Sequence, residues 1–270
     1  MKNENSPGLR PLTARSVVLS TLLGSHPPRL KARHLVRAGE LFGISEGTIR
    51  VALSRMVAAG DLGQADDGSY GLGERLRERQ ARQDASRSPA VRTWDGSWEV
   101  AIVTAERRPA AERAAFRDAM AALRMAEIRE GAWMRPDNLV RDTPLQDAPD
   151  RGGPVTEGAG PAGWRWARPA IVTGQCTFLR AVPEGDPAVL AASLWDLPVW
   201  AERARALRAG FDAASSVTGR FTLAAAILRH LLTDPLLPPE LLPEDWPGAD
   251  LRHRYDLFAT EFGALLRDHL

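Results

Sequence analysis

The stretch ELFGISEGTIRVALSRMVAAGDL, Glu40 to Leu62, limits what this 270-residue chain can fold into more than any other. Two apolar helical patterns meet at Gly43-Ile44-Ser45. Glycine enters positive φ at little cost, so Gly43 permits a sharp turn, and the Ser45 hydroxyl can accept the free amides that open the next helix. The spacing predicts a helix over about 31–42, with Leu35, Ala38 and Phe42 inward and Lys31, Arg33 and Arg37 toward solvent. It predicts another over about 46–59, where Ile49, Leu53, Met56 and Val57 share one face. Thr48, Arg50, Val51, Ser54 and Arg55 then fall elsewhere on its surface.

The flanks extend the pattern. Upstream, Thr13 suits an N-cap for a helix through Val17, Val18 and Leu22, with Gly24 as a left-handed stop before Pro27-Pro28. Downstream of Gly60, DLGQADDGSYGLG reads as two short strands around Asp67-Gly68. Three helices and a hairpin make a winged helix-turn-helix within residues 1–73. A helix of about 10–12 Å diameter enters a major groove about 12 Å wide, where Arg can bind guanine through two hydrogen bonds and Thr can touch a thymine methyl. Candidate DNA-binding residues are therefore Ser45, Thr48, Arg50, Val51, Ser54 and Arg55, with Lys31 and Arg33 beside them for phosphates. The competing reading is a plain corner in a helical core, its arginines solvated or paired with acids. Asp66 and Asp67 would repel phosphates, so the wing either stands off DNA or touches it by its flanks.

Charge is divided unevenly. Residues 1–92 hold 15 Lys and Arg against 9 Asp and Glu, a surplus of +6, while the rest hold 20 against 25. A basic N-terminal third suits a polyanionic partner, although a basic surface by itself is weak support.

Residues 74–92 read as an arginine-rich helix that frays into a linker, with Arg75, Arg79 and Arg82 spaced for one face. Residues 93–184 read as a central α/β domain. Its first strand starts at Trp98, a helix opens at Pro109 with Phe116, Met120 and Leu123 inward, and further strands fit Ala126 to Met134, Pro169 to Thr173 and Thr177 to Val182. That order suits a ferredoxin-like sheet. Residues 141–164, rich in Gly, Pro and acids, read as an exposed insertion. Residues 185–270 read as a helical C-terminal domain, closed by a stripe of Leu251, Tyr255, Phe258, Phe262 and Leu265. The prolines of DPLLPPELLPEDWPG exclude a helix there and leave Trp246 as an apolar anchor. The fold class is α+β and multidomain.

AGELFGISEGTIRVALSRMVAAGDL, DGSYGL, RTWDGSWEVAIV, GAWMRPDNL, LWDL and DPLLPPELLPEDWPG, taken in that order, resemble the PaaX family of bacterial transcriptional repressors of phenylacetate catabolism. The resemblance spans nearly the whole chain. It implies a homodimer built from a winged-helix domain, a central ferredoxin-like domain related to small CRISPR-associated nucleases, and a helical C-terminal domain. It also implies release from double-stranded operator DNA on binding phenylacetyl-coenzyme A or a related acyl or aryl thioester. Candidate effector residues are Trp133, Trp195 and Trp246 for the acyl or aryl group, with Arg129, Arg135, Arg229 and Arg254 for the coenzyme A phosphates. Ala225, Ala226 and Leu228 stand where family members often carry polar residues upstream of Asp-Pro-x-Leu-Pro, and only Arg229 remains.

Other chemistry finds little support. The single cysteine, Cys176, excludes an internal disulfide and reads as a small apolar side chain. The five histidines, His26, His34, His230, His253 and His269, lack zinc spacing. A nuclease would need carboxylates at the end of the first central strand, where Val103-Thr104-Ala105 stand and Glu106 would require a register shift. No cofactor fingerprint emerges, since Gly158-Ala159-Gly160 precedes no convincing helix. No apolar run approaches the roughly 20 residues that cross a bilayer, and no secretory signal opens the chain, so a cytoplasmic protein is expected. The remaining alternatives are a metal-dependent nuclease and a thioester sensor acting through a protein partner.

Overall fold

The computed structural model describes residues 12–106, 108–140 and 168–268; the expected insertion at 141–164 lies outside the described residues. In chain order the elements are α1 (Ala14–Leu23), β1 (Arg29–Lys31), α2 (Ala32–Glu40), α3 (Glu46–Ala58), β2 (Leu62–Gln64), β3 (Ser69–Leu72) and α4 (Glu74–Arg87). Then follow β4 (Trp98–Val103), α5 (Ala110–Ala122), β5 (Ala126–Arg129), β6 (Ala132–Pro136), α6 (Ala170–Thr173) and β7 (Cys176–Ala181). The C-terminal part carries α7 (Pro187–Leu194), α8 (Leu197–Ala213), α9 (Val217–Leu231) and α10 (Gly248–Asp268). The architecture is mixed α+β, with helical N- and C-terminal parts and two small antiparallel sheets. Two compact units emerge, one of Met1–Gln83, Ala206–Arg229 and Leu251–Leu270, the other of Asp84–Arg205 and His230–Asp250.

In the first unit α1 starts at Thr13 by a reciprocal cap. Thr13 Oγ1 accepts from the Ser16 amide at 3.1 Å, and Ser16 Oγ accepts from the Thr13 amide at 2.8 Å. Gly24 ends the helix in the right-handed region, at φ −86°, so the expected left-handed stop is corrected; the prolines at 27 and 28, not glycine geometry, prevent continuation. The second helix is shorter than expected because residues 29–31 pair with β3, giving the sheet order β1-β3-β2. Phe42 consequently lies in the turn after α2 rather than on it.

That turn is a Schellman arrangement. Gly43 sits at φ +70°, its amide donates to Glu40 O at 2.9 Å, and the Ile44 amide donates to Gly39 O at 3.0 Å. Gly39 matters for a different reason: a Cβ there would lie 2.5 Å from Ile49 Cγ1, so only glycine lets α2 and α3 approach this closely. Ile49, Leu53 and Met56 pack with Val18, Leu22 and Leu35, and the hairpin closes the cluster with Leu62 and Leu72. Burying each of those side chains stabilises by roughly 1.5–3 kcal/mol, which fixes α3 by its inner face.

Asp61, just before β2, ties three segments together. Its buried carboxylate accepts from Arg15 at 2.6 Å and from Arg75 at 3.0 Å. The Arg15 hydrogen bond, opposed by burial and reinforced by Arg75, holds its pKa below the ordinary carboxylate value. A depressed folded-state pKa contributes stability that is present above the unfolded-state value of about 3.9 and disappears as pH falls through the folded-state value. Lowering the pH from 7 to 3 should therefore destabilise the wild type more than Asp61→Asn; parallel pH profiles of the two thermal midpoints would remove Asp61 from this role.

Helix α4 ends at Arg87, ahead of Pro89, and it has a packed inner face. Leu76, Gln80 and Gln83 are buried, and Gln80 Nε2 donates to Leu23 O at 2.9 Å and Ser25 O at 3.0 Å, occupying carbonyls at the end of α1. The rest of this unit is aromatic. Phe258 meets Phe211 edge-on at 5.7 Å and stacks on Phe262 at 5.6 Å, while Phe42 packs on Phe221 at 4.7 Å.

The second unit is a sheet ordered β5-β6-β4-β7, every neighbouring pair antiparallel. Alternation along β4 sends Ala101 to one face with Phe116, Met120, Trp133 and Val172, and Trp98 to the other with Met134, Leu197, Leu237 and Leu241. Two expectations are corrected. The single strand from Ala126 to Met134 is two strands, because Gly131 turns the chain at φ +77°. Pro169 to Thr173 is not a strand: Pro169 caps the short helix α6, its fixed φ fitting the helix entry. Cys176 is partly buried against the α5 side of the sheet, where burial raises its thiol pKa.

Two arginines clamp the proline-rich segment after α9 within this unit. Arg124, at φ +60°, donates to Leu232 O and to Ser86 Oγ. Arg135, 1% exposed, donates to Pro136 O, Leu123 O, Asn138 Oδ1 and Leu236 O. Leu236 itself is held at φ +53°.

Candidate nucleic-acid interface

Ser45 opens α3, its Oγ 3.4 Å from the Thr48 amide and 2.9 Å from Thr48 Oγ1. Because Ile49, Leu53 and Met56 take the inner face, Ser45, Thr48, Arg50, Val51, Ser54 and Arg55 are all exposed. Val51 is 51% exposed, an apolar side chain left in water with no intramolecular packing reason. Lys31 and Arg33, at the start of α2, are exposed too. Arg33 Nε donates to His34 Nε2 at 3.2 Å, and partial burial, then Arg33 and Lys31, lower the His34 pKa and favour the neutral ring that can accept this bond.

One acid pairing, of the kind the plain-corner reading allows, is present. Arg50 donates to Glu46 Oε1 at 2.6 Å, one turn back on the same helix. Both side chains are more than half exposed, so the pair contributes only about 0.3–0.5 kcal/mol and yields readily to a stronger acceptor. The (i, i+4) spacing of Glu46 and Arg50 would have announced it. Arg55 has no carboxylate partner among the described residues.

At the hairpin tip Gly68 takes φ +74° and its amide donates to Ala65 O at 2.9 Å, so Asp66 and Asp67 occupy the turn centre. Asp67 Oδ1 accepts from the Ser69 hydroxyl at 2.6 Å and amide at 3.0 Å, bonds that lower its pKa and keep the tip acidic.

The residues considered for an effector do not form one group. Trp133 is buried in the sheet core, Trp195 stacks on Trp98 at 6.3 Å, and Trp246 stacks on Trp200 at 4.6 Å. Arg129 is exposed on β5, and Arg135 has its donors turned inward as described. Arg254 pairs with Asp212 at 3.1 Å. Arg229 instead lines a cavity in the first unit, together with Ala225, Leu228 and, unforeseen, Arg79 and Gln83. Thr104, at the end of β4, donates to Gln175 O, and no group of three or more His, Cys, Asp or Glu suited to a metal ion occurs among the described residues.

An apolar core fixes α3 from behind and leaves an exposed cationic face, the arrangement that a nucleic-acid-binding helix needs. The comparisons carry this to a family. The PaaX-like protein family matches residues 13–76 and its C-terminal domain matches residues 196–270. A solved structure of the uncharacterized protein Rv0674 from Mycobacterium tuberculosis is 47% identical, covers 95% of this chain and 98% of its own, and superposes with a TM-score of 0.74. No curated protein matches. This chain belongs to the PaaX-like family, whose members regulate transcription as DNA-binding repressors. Among the described residues no helix is long and apolar enough to cross a membrane.

Proposed function

We propose that this chain is a cytoplasmic homodimeric repressor of a catabolic operon that leaves its operator on binding phenylacetyl-coenzyme A or a related acyl or aryl thioester. In this reading residues 12–73 form a winged helix-turn-helix with α3 as the recognition helix. The β-α-β-β-α-β order of the second unit supports a ferredoxin-like domain. The observation that carries the proposal is the division of α3 into a buried apolar face and an exposed face of Thr48, Arg50, Val51, Ser54 and Arg55. Dimerisation pairs two such helices on half-sites of a near-palindromic operator. The effector prefers the dimer spacing that does not fit DNA, and so lowers operator affinity by population shift.

Fluorescence anisotropy on DNA upstream of the chain's own operon, with and without phenylacetyl-coenzyme A, tests this. Salt-sensitive, sequence-preferring binding is expected, weakened by the thioester; absence of sequence preference would defeat it. Arg50→Ala is expected to weaken operator binding by about 1–3 kcal/mol at constant salt. An unchanged affinity in a folded Arg50→Ala protein would remove Arg50 from base reading.

A further inference from the structure

The cavity lined by Arg79 and Arg229 lies wholly within the first unit, between the end of α1, α4, α9 and α10. It measures about 130 Å³. A closed apolar cavity of about 150 Å³ accommodates a benzene ring, so the space suits one ring or a short acyl chain. Its walls divide by chemistry. Leu23, Ala225, Leu228, Phe258 and Phe262 supply an apolar surface. Arg79 and Arg229 supply charge, and neither has a carboxylate partner among the described residues. Partial desolvation, then the neighbouring Arg229 and Arg82, lower the Arg79 pKa. Gln83 also lines the cavity, 4% exposed, and its Oε1 is buried without a hydrogen-bond partner. That orphan is an acceptor, so it calls for a donor on the ligand, which the amide N–H groups of a coenzyme A thioester carry and a free carboxylate lacks.

We propose that this cavity is a ligand site for an anionic amphiphile, an aryl or short acyl group bearing negative charge, whose apolar end fills the pocket while Arg79 and Arg229 hold the charge.

The cavity does not touch α3 itself but reaches it through α1 and through the turn that precedes it. Thr21 and Leu23 of α1 line it, while Val18 and Leu22 of the same helix pack against Ile49, Leu53 and Met56 of α3. Phe221 and Phe262 line it and pack on Phe42, at 4.7 and 6.3 Å, in the turn that launches α3. A ligand that moves those rings moves that turn. This regulatory consequence rests on the repressor reading above; the binding itself does not.

Calorimetry on the full chain separates the two. The probes are 3-phenylpropionate and octanoate, their coenzyme A thioesters, and 3-phenylpropanamide as the neutral control. Binding of the free acids would place the carboxylate on the arginines; binding of the thioesters alone would place phosphates there. The amide should bind at least about tenfold more weakly than the preferred anion, and Arg79→Gln and Arg229→Gln should each weaken that anion about tenfold or more. Ala225→Phe should abolish binding by filling the pocket, and the two surface arginine variants keep the test decisive if Ala225→Phe does not fold. Absence of heat with every probe, equal binding of the amide, or binding indifferent to all three substitutions in folded protein would overturn the site. Ligand binding without operator binding would sink the repressor reading and leave the site standing. Operator release indifferent to substitutions that abolish binding would sink the link from this site to the DNA response and leave the repressor reading standing.

Discussion

Gly73→Ala is expected to destabilise the first unit by about 3 kcal/mol or more, visible as a lowered urea midpoint by circular dichroism. A Cβ at this position would sit 2.4 Å from Gly60 O and 3.0 Å from Asp61 O. Both obstacles are backbone, so no side-chain rotation relieves them. The Gly73 amide also donates to Asp61 O at 2.7 Å, which locks the start of α4 to the end of the α3 turn. Space rather than dihedral angle sets the requirement, because Gly73 is not among the glycines at positive φ. Gly63→Ala is the matched control: nothing lies within 4 Å of its added Cβ, and a change within about 0.5 kcal/mol is expected. Equal midpoints for the two variants would show that the 60–73 closure tolerates an extra atom.

The second large effect lies in the other unit. Arg135→Ala should cost about 3–5 kcal/mol, since it opens a cavity and strips donors from buried acceptors. Leu123 O at 3.3 Å and Pro136 O at 3.0 Å lose the guanidinium, while Leu236 O keeps only the Asn138 amide at 3.0 Å. Arg135→Met preserves most of the volume but restores no donor, so it should remain well below wild type. Arg129→Ala, at an exposed position on the same sheet, should stay within about 0.5 kcal/mol. Melting of Arg135→Ala at the wild-type temperature would mean that the clamp on 232–237 is dispensable.

Arg135 also shows where reading a sequence stops. The sequence offers it among the arginines for coenzyme A phosphates, yet its side chain is buried and donates to three backbone carbonyls, one of them 101 residues away. Backbone acceptors leave no trace in a residue string. The turn at Gly43 and the cap at Ser45 were legible because each depends on neighbours within five residues, and the two faces of α3 follow from helical period. Strand β1 was not legible: its alternation runs for only three residues, and they become a strand only because β3 arrives to pair with them. Residues 169–173 were misread for the same reason, as a short apolar run fits either state until its surroundings choose. The pairing of Arg79 with Arg229 joins positions 150 residues apart, and the spacing of Leu76, Gln80 and Gln83 gave the one local sign that α4 has an inner face.

The rings around Phe42 set an order for biosynthesis. Its partners Phe221 and Phe262 follow it by 179 and 220 residues, so the ribosome delivers α3 long before it delivers what braces the turn beneath it. The first 83 residues emerge with that aromatic face bare, and the unit closes only after the whole second unit has been made. N-terminal segments usually fold first during synthesis. A nascent chain that has already displayed α3 therefore still lacks the cavity walls that α9 and α10 supply, and that cavity closes only once α10 is made.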